Sequence, residues 1–392
     1  MNHHATSLPP LVRHEGGRFR TAGWPTGFIT AAAFILAGCA GPQPAVDTPV
    51  PPRPAEVRAQ IVKLLPTGVA DKDGWATDIY AAFASMNIFP SNDNVCAVLA
   101  VTEQESSFRA DPAVPKLPDI AWGEIHRRAE KAGVPKLLVD AALRISSPNG
   151  KSYSERIDTV RNERELSDTF EDFIGMVPMG QRLFAGYNPI RTGGPMQVGI
   201  AFAQRQARDK GYPYPVAESI RREVFTRRGG MYFGIAHLLD YPAVYDRLVY
   251  RFADFNAGRY ASRNAAFQNA VSVASGIPLA LDGDLIRFDG DSNAPPGTTE
   301  LAVRSLRARI DMNDAAIRRD LELGDKLEFD DSKLHRRVFE LADALDRRAV
   351  PRAMLPRIDL ESPKITRKLS TEWFANRVDE RQRRCMAKIA AP

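Results

Sequence analysis

The sequence predicts a mainly α protein, on three observations. From Ala55 onward, apolar residues recur at helical spacing near 55–65, 76–88, 93–106, 118–133, 135–145, 152–175, 199–210, 215–241 and 246–274. Alternating apolar and polar runs are scarce; the exception, Leu285-Ile286-Arg287-Phe288 between two Asp-Gly-Asp turns, reads as a short strand or hairpin arm. A composition of 44% hydrophobic and 26% charged residues belongs to an ordinary globular chain, neither disordered nor membrane-embedded.

Ahead of the first helix lies a different kind of sequence. Arg13, Arg18 and Arg20 precede an apolar stretch from Gly23 to Ala37 that ends in Leu36-Ala37-Gly38-Cys39, which reads as a secretory signal over residues 1–38. The apolar run is shorter than the roughly 20 residues of a spanning helix. Leu-Ala-Gly-Cys looks like a lipobox, with Cys39 as the lipidation site; an ordinary signal with an incidental cysteine is the competing reading. Several acyl chains would hold the protein on a membrane persistently. Ala40, rather than Asp, follows the cysteine, which by resemblance to enteric sorting implies an outer membrane lipoprotein facing the periplasm. Residues 39–54 are rich in proline and nearly uncharged, the composition of an extended tether.

The net charge of +5 is mild, and the basic residues are interleaved with acidic ones, so nucleic acid binding is not inferred. Six histidines show no ligand spacing, and no metal or cofactor is expected. With Cys39 acylated, Cys96 and Cys385 remain. They either form a disulfide, which an oxidising compartment permits, or stay as two buried thiols.

Within the helical part, Ser91-Asn92-Asp93 offers N-caps for a helix carrying Val95, Val98, Leu99 and Val101. Glu105 projects between Val98 and Val101 on the helical wheel, and a carboxylate on an apolar stripe is paired, wet at a helix end, or kept partly dry for acid catalysis. Glu103 points elsewhere and is the fallback acid. Toward the C-terminus, Val338, Leu341 and Leu345 keep helical spacing, and a last helix from Thr371 to Lys388 carries Trp373, Phe374, Val378 and Cys385 on a face suited to packing.

Three short words complete the reading: Glu105-Ser106-Ser107-Phe108, Gly194-Pro195-Met196-Gln197-Val198 and Asp254-Phe255-Asn256-Ala257-Gly258. In order and wording they resemble the E-S-x-F, G-L-M-Q and A-Y-N-A-G motifs of the lytic transglycosylases, the bacterial branch of the goose-type lysozyme superfamily. The resemblance covers roughly 90–275. It implies a lysozyme-like helical domain over 55–290 with an insertion at about 109–190, then a C-terminal helical extension over 291–392. It also implies a murein-cleaving enzyme acting on peptidoglycan glycan strands, in which Glu105 serves as acid and then base and the sugar's own 6-hydroxyl closes on C1 to give anhydro-muropeptide products. The expected substrate-binding residues are Ser106, Gly194, Met196, Gln197, Asn256 and, for the missing Tyr hydroxyl, Tyr260, with Met196 against a sugar face and Gln197 at its polar groups.

The chain departs from the family pattern in three places. Pro195 stands where Leu is usual, and Phe255 replaces a Tyr, for whose hydroxyl Tyr260 or Tyr232 would have to substitute. Residues 109–193 occupy what is usually a short link, and a segment of that size beside a cleft reads as a lid or wall, which suggests a lipoprotein family of its own built on this fold. Asp289, Asp291, Asn293 and Glu300 have EF-hand-like spacing, but Ala294 replaces the required Gly, so a plain turn is favoured over a calcium loop. Against the enzyme stands a second class, a catalytically weak or inactive lipoprotein that binds glycan strands or scaffolds cell-wall machinery; hydrolysis with a held water is a third.

Overall fold

A computed structural model of the chain describes residues 53–176, 178–287, 295–360 and 368–390. Cys39, the signal segment and nearly all of the tether lie outside the described residues, as do Phe288, Asp289, Asp291 and Asn293.

The described chain is mainly helical. Helices α1 (Pro54–Leu64), α2 (Lys72–Ser85) and α3 (Asn92–Ser106) come first. A run of shorter ones follows: α4 (Leu117–Lys131), α5 (Lys136–Ala142), α6 (Tyr153–Thr159), α7 (Glu163–Gly175) and α8 (Gly180–Phe184). An antiparallel ribbon, β1 (Thr192–Gly193) with β2 (Val198–Gly199), precedes α9 (Ile200–Lys210), α10 (Ile220–Val224), α11 (Arg227–Leu239), α12 (Leu248–Ala257) and α13 (Ala261–Ser275). The chain closes with α14 (Thr298–Ser305), α15 (Arg307–Ile310), α16 (Asp314–Leu321), α17 (Lys333–Asp346) and α18 (Thr371–Ala390). Among the described residues no helix is long and apolar enough to cross a membrane.

Three long helices expected from periodicity are each broken in two, and each break has a local cause. Asn162 caps α7 by accepting from the Glu165 amide at 2.8 Å, which ends the 152–175 pattern at Val160. Thr226 accepts from the Gly229 amide and starts α11 afresh. Gly258, at φ +109°, turns the chain out of α12 in a conformation that L side chains rarely adopt. Polar side chains that bond nearby amides compete with helix continuation, and the apolar period alone does not register them. The arm expected at Leu285-Ile286-Arg287 is not a strand; Leu285 is buried in a helical core.

The described residues contain two apolar cores. The first joins α1–α3, parts of the 109–190 segment, the ribbon, α11, α12 and α18. The second is built by α13, α14, α16 and α17 around Phe267, Phe329, Leu334 and Val338. The boundary expected at 291 and the two cores are drawn differently: α13 and Leu285, both before that point, belong to the second core, while α18 returns to the first. The return is fixed by a disulfide between Cys96 of α3 and Cys385 of α18, with a Cα separation of 5.6 Å. Glu103 faces Arg381 of α18 at 3.5 Å, and Gln382 donates to Asp93 at 3.2 Å. Phe374 and Val378 of α18 are buried in the first core.

Candidate functional site

Helix α3 is capped by Ser91, whose hydroxyl accepts from the Asn94 amide, and it ends abruptly. Ser107 and Phe108 both take left-handed backbone, at φ +51° and +60°. Such non-glycine residues cost of order 1 kcal/mol or more each and persist where packing imposes them. Here the Phe108 ring is held edge-on to Trp75, with centroids 5.6 Å apart. The turn leaves Glu105 half-buried near the end of a helix that is buried from Val95 to Thr102. No hydrogen bond or ion pair reaches its carboxyl among the described residues. Desolvation, and then the nearby Glu163, raise its pKa to about 8. Glu103 is committed to α18, so the two glutamates of this helix have separate environments. The Ser106 hydroxyl donates to the Thr102 carbonyl and accepts from the Arg109 amide, closing the helix end.

The second word folds into the turn of the β1–β2 ribbon and rests on α11. A methyl on Gly194 would come within 2.0 Å of the Val224 carbonyl oxygen, one on Gly230 within 2.3 Å of Pro195, and one on Gly234 within 2.4 Å of the Met196 sulfur. The glycines thus admit the turn to the helix. The close approach expected between Gly194 and a sugar is instead an approach to protein backbone. Met196 is completely buried, so it forms core rather than a sugar-facing wall. Gln197 is half-buried and left-handed at φ +49°; its amide donates to the Gly194 carbonyl and accepts from the Thr192 hydroxyl, both at 3.3 Å. Helix α11 packs on α3 as well as on β2, which brings the turn and the end of α3 to one helix.

The third word makes a corner. Asp254, fully buried, accepts from the Tyr245 hydroxyl (2.7 Å), the Tyr241 hydroxyl (3.1 Å), the Tyr260 amide (3.0 Å) and the Ser262 amide (2.7 Å). A carboxylate at the first amides of α13 suits the positive end of that helix. This role escaped the sequence reading, because the residues that satisfy Asp254 are spread from 241 to 262. Phe255 is buried and tilted against His237, whose pKa burial lowers to about 4. Asn256 is exposed and accepts from the Thr371 hydroxyl of α18 at 2.9 Å. Tyr260 is buried with its hydroxyl on the Pro242 carbonyl, and Tyr232 donates to the Gly211 carbonyl, so both hydroxyls are already engaged.

The 109–190 segment supplies what the motifs did not. Glu163, at the start of α7, is buried close to Glu105 and also to Asp111, whose pKa desolvation raises to about 6 against the pull of Arg164. Glu163 and Thr192 line one cavity of about 820 Å³ enclosed mainly by α4–α7. Through Thr192 and Gln197 that cavity connects to the ribbon turn. No group of three or more His, Cys, Asp or Glu is arranged to hold a metal among the described residues.

The chain belongs to a family whose model, described as "Protein of unknown function (DUF1615)", matches residues 68–388. The match spans both cores and ends within α18. A relative in Escherichia coli (strain K12), "Uncharacterized protein YaiW", is 56% identical over 357 residues, covering 91% of this chain and 96% of the relative. No solved structure matches the fold.

Proposed function

We propose that the protein is a membrane-anchored periplasmic lytic transglycosylase that cleaves murein glycan strands. The observation that carries this reading is Glu105: a carboxyl without a partner, half-buried at a strained helix end, with its pKa lifted to about 8. A normal glutamic acid near pKa 4.3 has lost its proton at neutral pH, whereas this one holds it. Acid catalysis needs such a group. In the proposed reaction Glu105 gives its proton to the glycosidic oxygen as the C1–O bond breaks. The resulting carboxylate then takes the proton of the 6-hydroxyl as that oxygen bonds to C1, so the acid is regenerated and no water is consumed. Of the residues implied to bind substrate, Gln197 and Asn256 keep accessible side chains and are the candidates for positioning the sugar.

Digestion of purified sacculi tests the proposal. Wild type releases anhydro-muropeptides, and Glu105→Gln, which keeps shape but carries no acidic proton, loses about 10²–10⁴ in rate. Equal rates for the two proteins would remove Glu105 from the mechanism. Anchoring has its own test: Cys39→Ser should leave the membrane fraction and take up no labelled fatty acid.

A specific observation favours the second reading, a glycan-binding protein with little turnover. Phe255 brings no hydroxyl, and those of Ser106, Tyr232 and Tyr260 are engaged within the protein. Retention of wild type on sacculi without soluble products would select it.

A further inference from the structure

The cavity in the 109–190 segment is built unlike a sugar site. Leu117, Ala121, Ile157 and Leu166 form its depths, and Leu138 and Val134 stand exposed at its edge. At about 820 Å³ it has the size of a small-molecule site. An aliphatic cavity of this kind gives water few partners and favours hydrocarbon. One polar atom breaks the pattern. The Tyr153 hydroxyl, on a completely buried lining residue, has no hydrogen-bond partner, and it is the orphaned buried polar atom of the lining among the described residues. Leaving a hydroxyl unsatisfied costs about 1–3 kcal/mol, which a bound oxygen would recover. At the edge Arg127 and Arg128 are both paired with Glu124, while Arg191 has no ion pair among the described residues. The edge therefore favours a negative amphiphile over a positive one.

We propose that this cavity binds one long-chain acyl group, as a fatty acid or an acyl ester, with the chain between α4, α5 and α7 and a carboxyl or carbonyl oxygen accepting from the Tyr153 hydroxyl. The aliphatic lining supplies affinity in proportion to chain length, since each methylene leaving water contributes about 0.8 kcal/mol. Tyr153 supplies orientation. The site is separate from the glycan reading and stands whether or not Glu105 cleaves murein.

Displacement of a fluorescent polyene fatty acid by palmitate tests it on the purified protein lacking residues 1–39, together with the full chain in detergent. The expected result is saturable displacement at one site per chain, weakening as the competitor is shortened from sixteen to eight carbons. Ala121→Phe fills the depth of the cavity and should abolish binding; Leu138→Glu, at an exposed edge position, is the companion variant should Ala121→Phe fail to fold. Tyr153→Phe keeps the ring and should weaken palmitate about tenfold or more, the worth of one hydrogen bond to a carboxylate. A parallel arm with phosphatidylglycerol vesicles separates a free acyl ligand from a membrane surface. No displacement by palmitate, full binding by the folded Ala121→Phe or Leu138→Glu protein, or binding to vesicles alone would each overturn the proposal. Unchanged affinity in Tyr153→Phe would overturn the assigned hydrogen bond and leave a trapped water as that hydroxyl's partner.

Discussion

The 109–190 segment and the second core are both assemblies of short helices, and they treat their apolar surface in opposite ways. In the second core Phe267, Phe329, Leu334 and Val338 are sealed from water, and the charged groups inside are paired: Glu300, fully buried, receives Arg304 at 2.6 Å and Arg318 at 2.9 Å. In the 109–190 segment Leu137, Leu138, Met179 and Tyr187 are 60–79% exposed, and the helices stand around a void rather than a packed centre. A segment that spends its apolar residues on the rim and wall of a cavity is arranged for something to enter. One that buries them is arranged to stand. Length and helical periodicity are alike in the two regions, so the difference teaches that burial, not pattern, separates scaffold from site.

Substitutions of one kind in both regions would sharpen this contrast most. Phe329→Ala, in a close-packed interior, should cost about 3–5 kcal/mol of stability, whereas Leu138→Ala at the cavity edge should stay within about 0.5 kcal/mol, both read from denaturant melts. If the two cost the same, the segment is as tightly packed as the second core and the contrast fails.

Breaking the disulfide reaches the first core alone. The crosslink closes a loop of 289 residues, and removing such a native bond typically costs about 2–5 kcal/mol. Cys96→Ala with Cys385→Ala should therefore lower the melting temperature and speed hydrogen exchange in α3 and α18, while α14–α17 keep their protection. Uniform acceleration would mean that the two cores open together.

The smallest expected effect links the segment to Glu105. Glu105 is neutral below its pKa of about 8, and Glu163 contributes to that elevation. A carboxyl raised in the fold stabilises the folded state fully below its unfolded value near 4.3, and that contribution fades as the pH rises through about 8. Glu163→Gln removes the repulsion but not the burial, so the Glu105 titration seen by carbon-13 NMR, and the alkaline limb of any murein activity, should move to lower pH. A limb that stays in place would separate Glu163 from the acid.

Much of the frame was legible because it is written locally. The period of 3.6 gave the helices, Ser91 the start of α3, and Glu105 on its apolar stripe the most unusual carboxyl of that helix. The apolar face of the last helix likewise announced that it packs. Other features are decided by contacts distant in sequence. Gly194 is needed because Val224 lies beside it, Met196 is core because Gly234 receives it, and Asp254 is satisfied by the loop ahead of α12 and by the start of α13. The pairing of Cys96 with Cys385 required two helices, 289 residues apart, to meet with their Cα atoms 5.6 Å apart, which no spacing rule encodes. The cavity was invisible for the same reason: a leucine that lines a void and a leucine that fills a core have the same place in the helical repeat, and only the neighbouring helix decides which one it is.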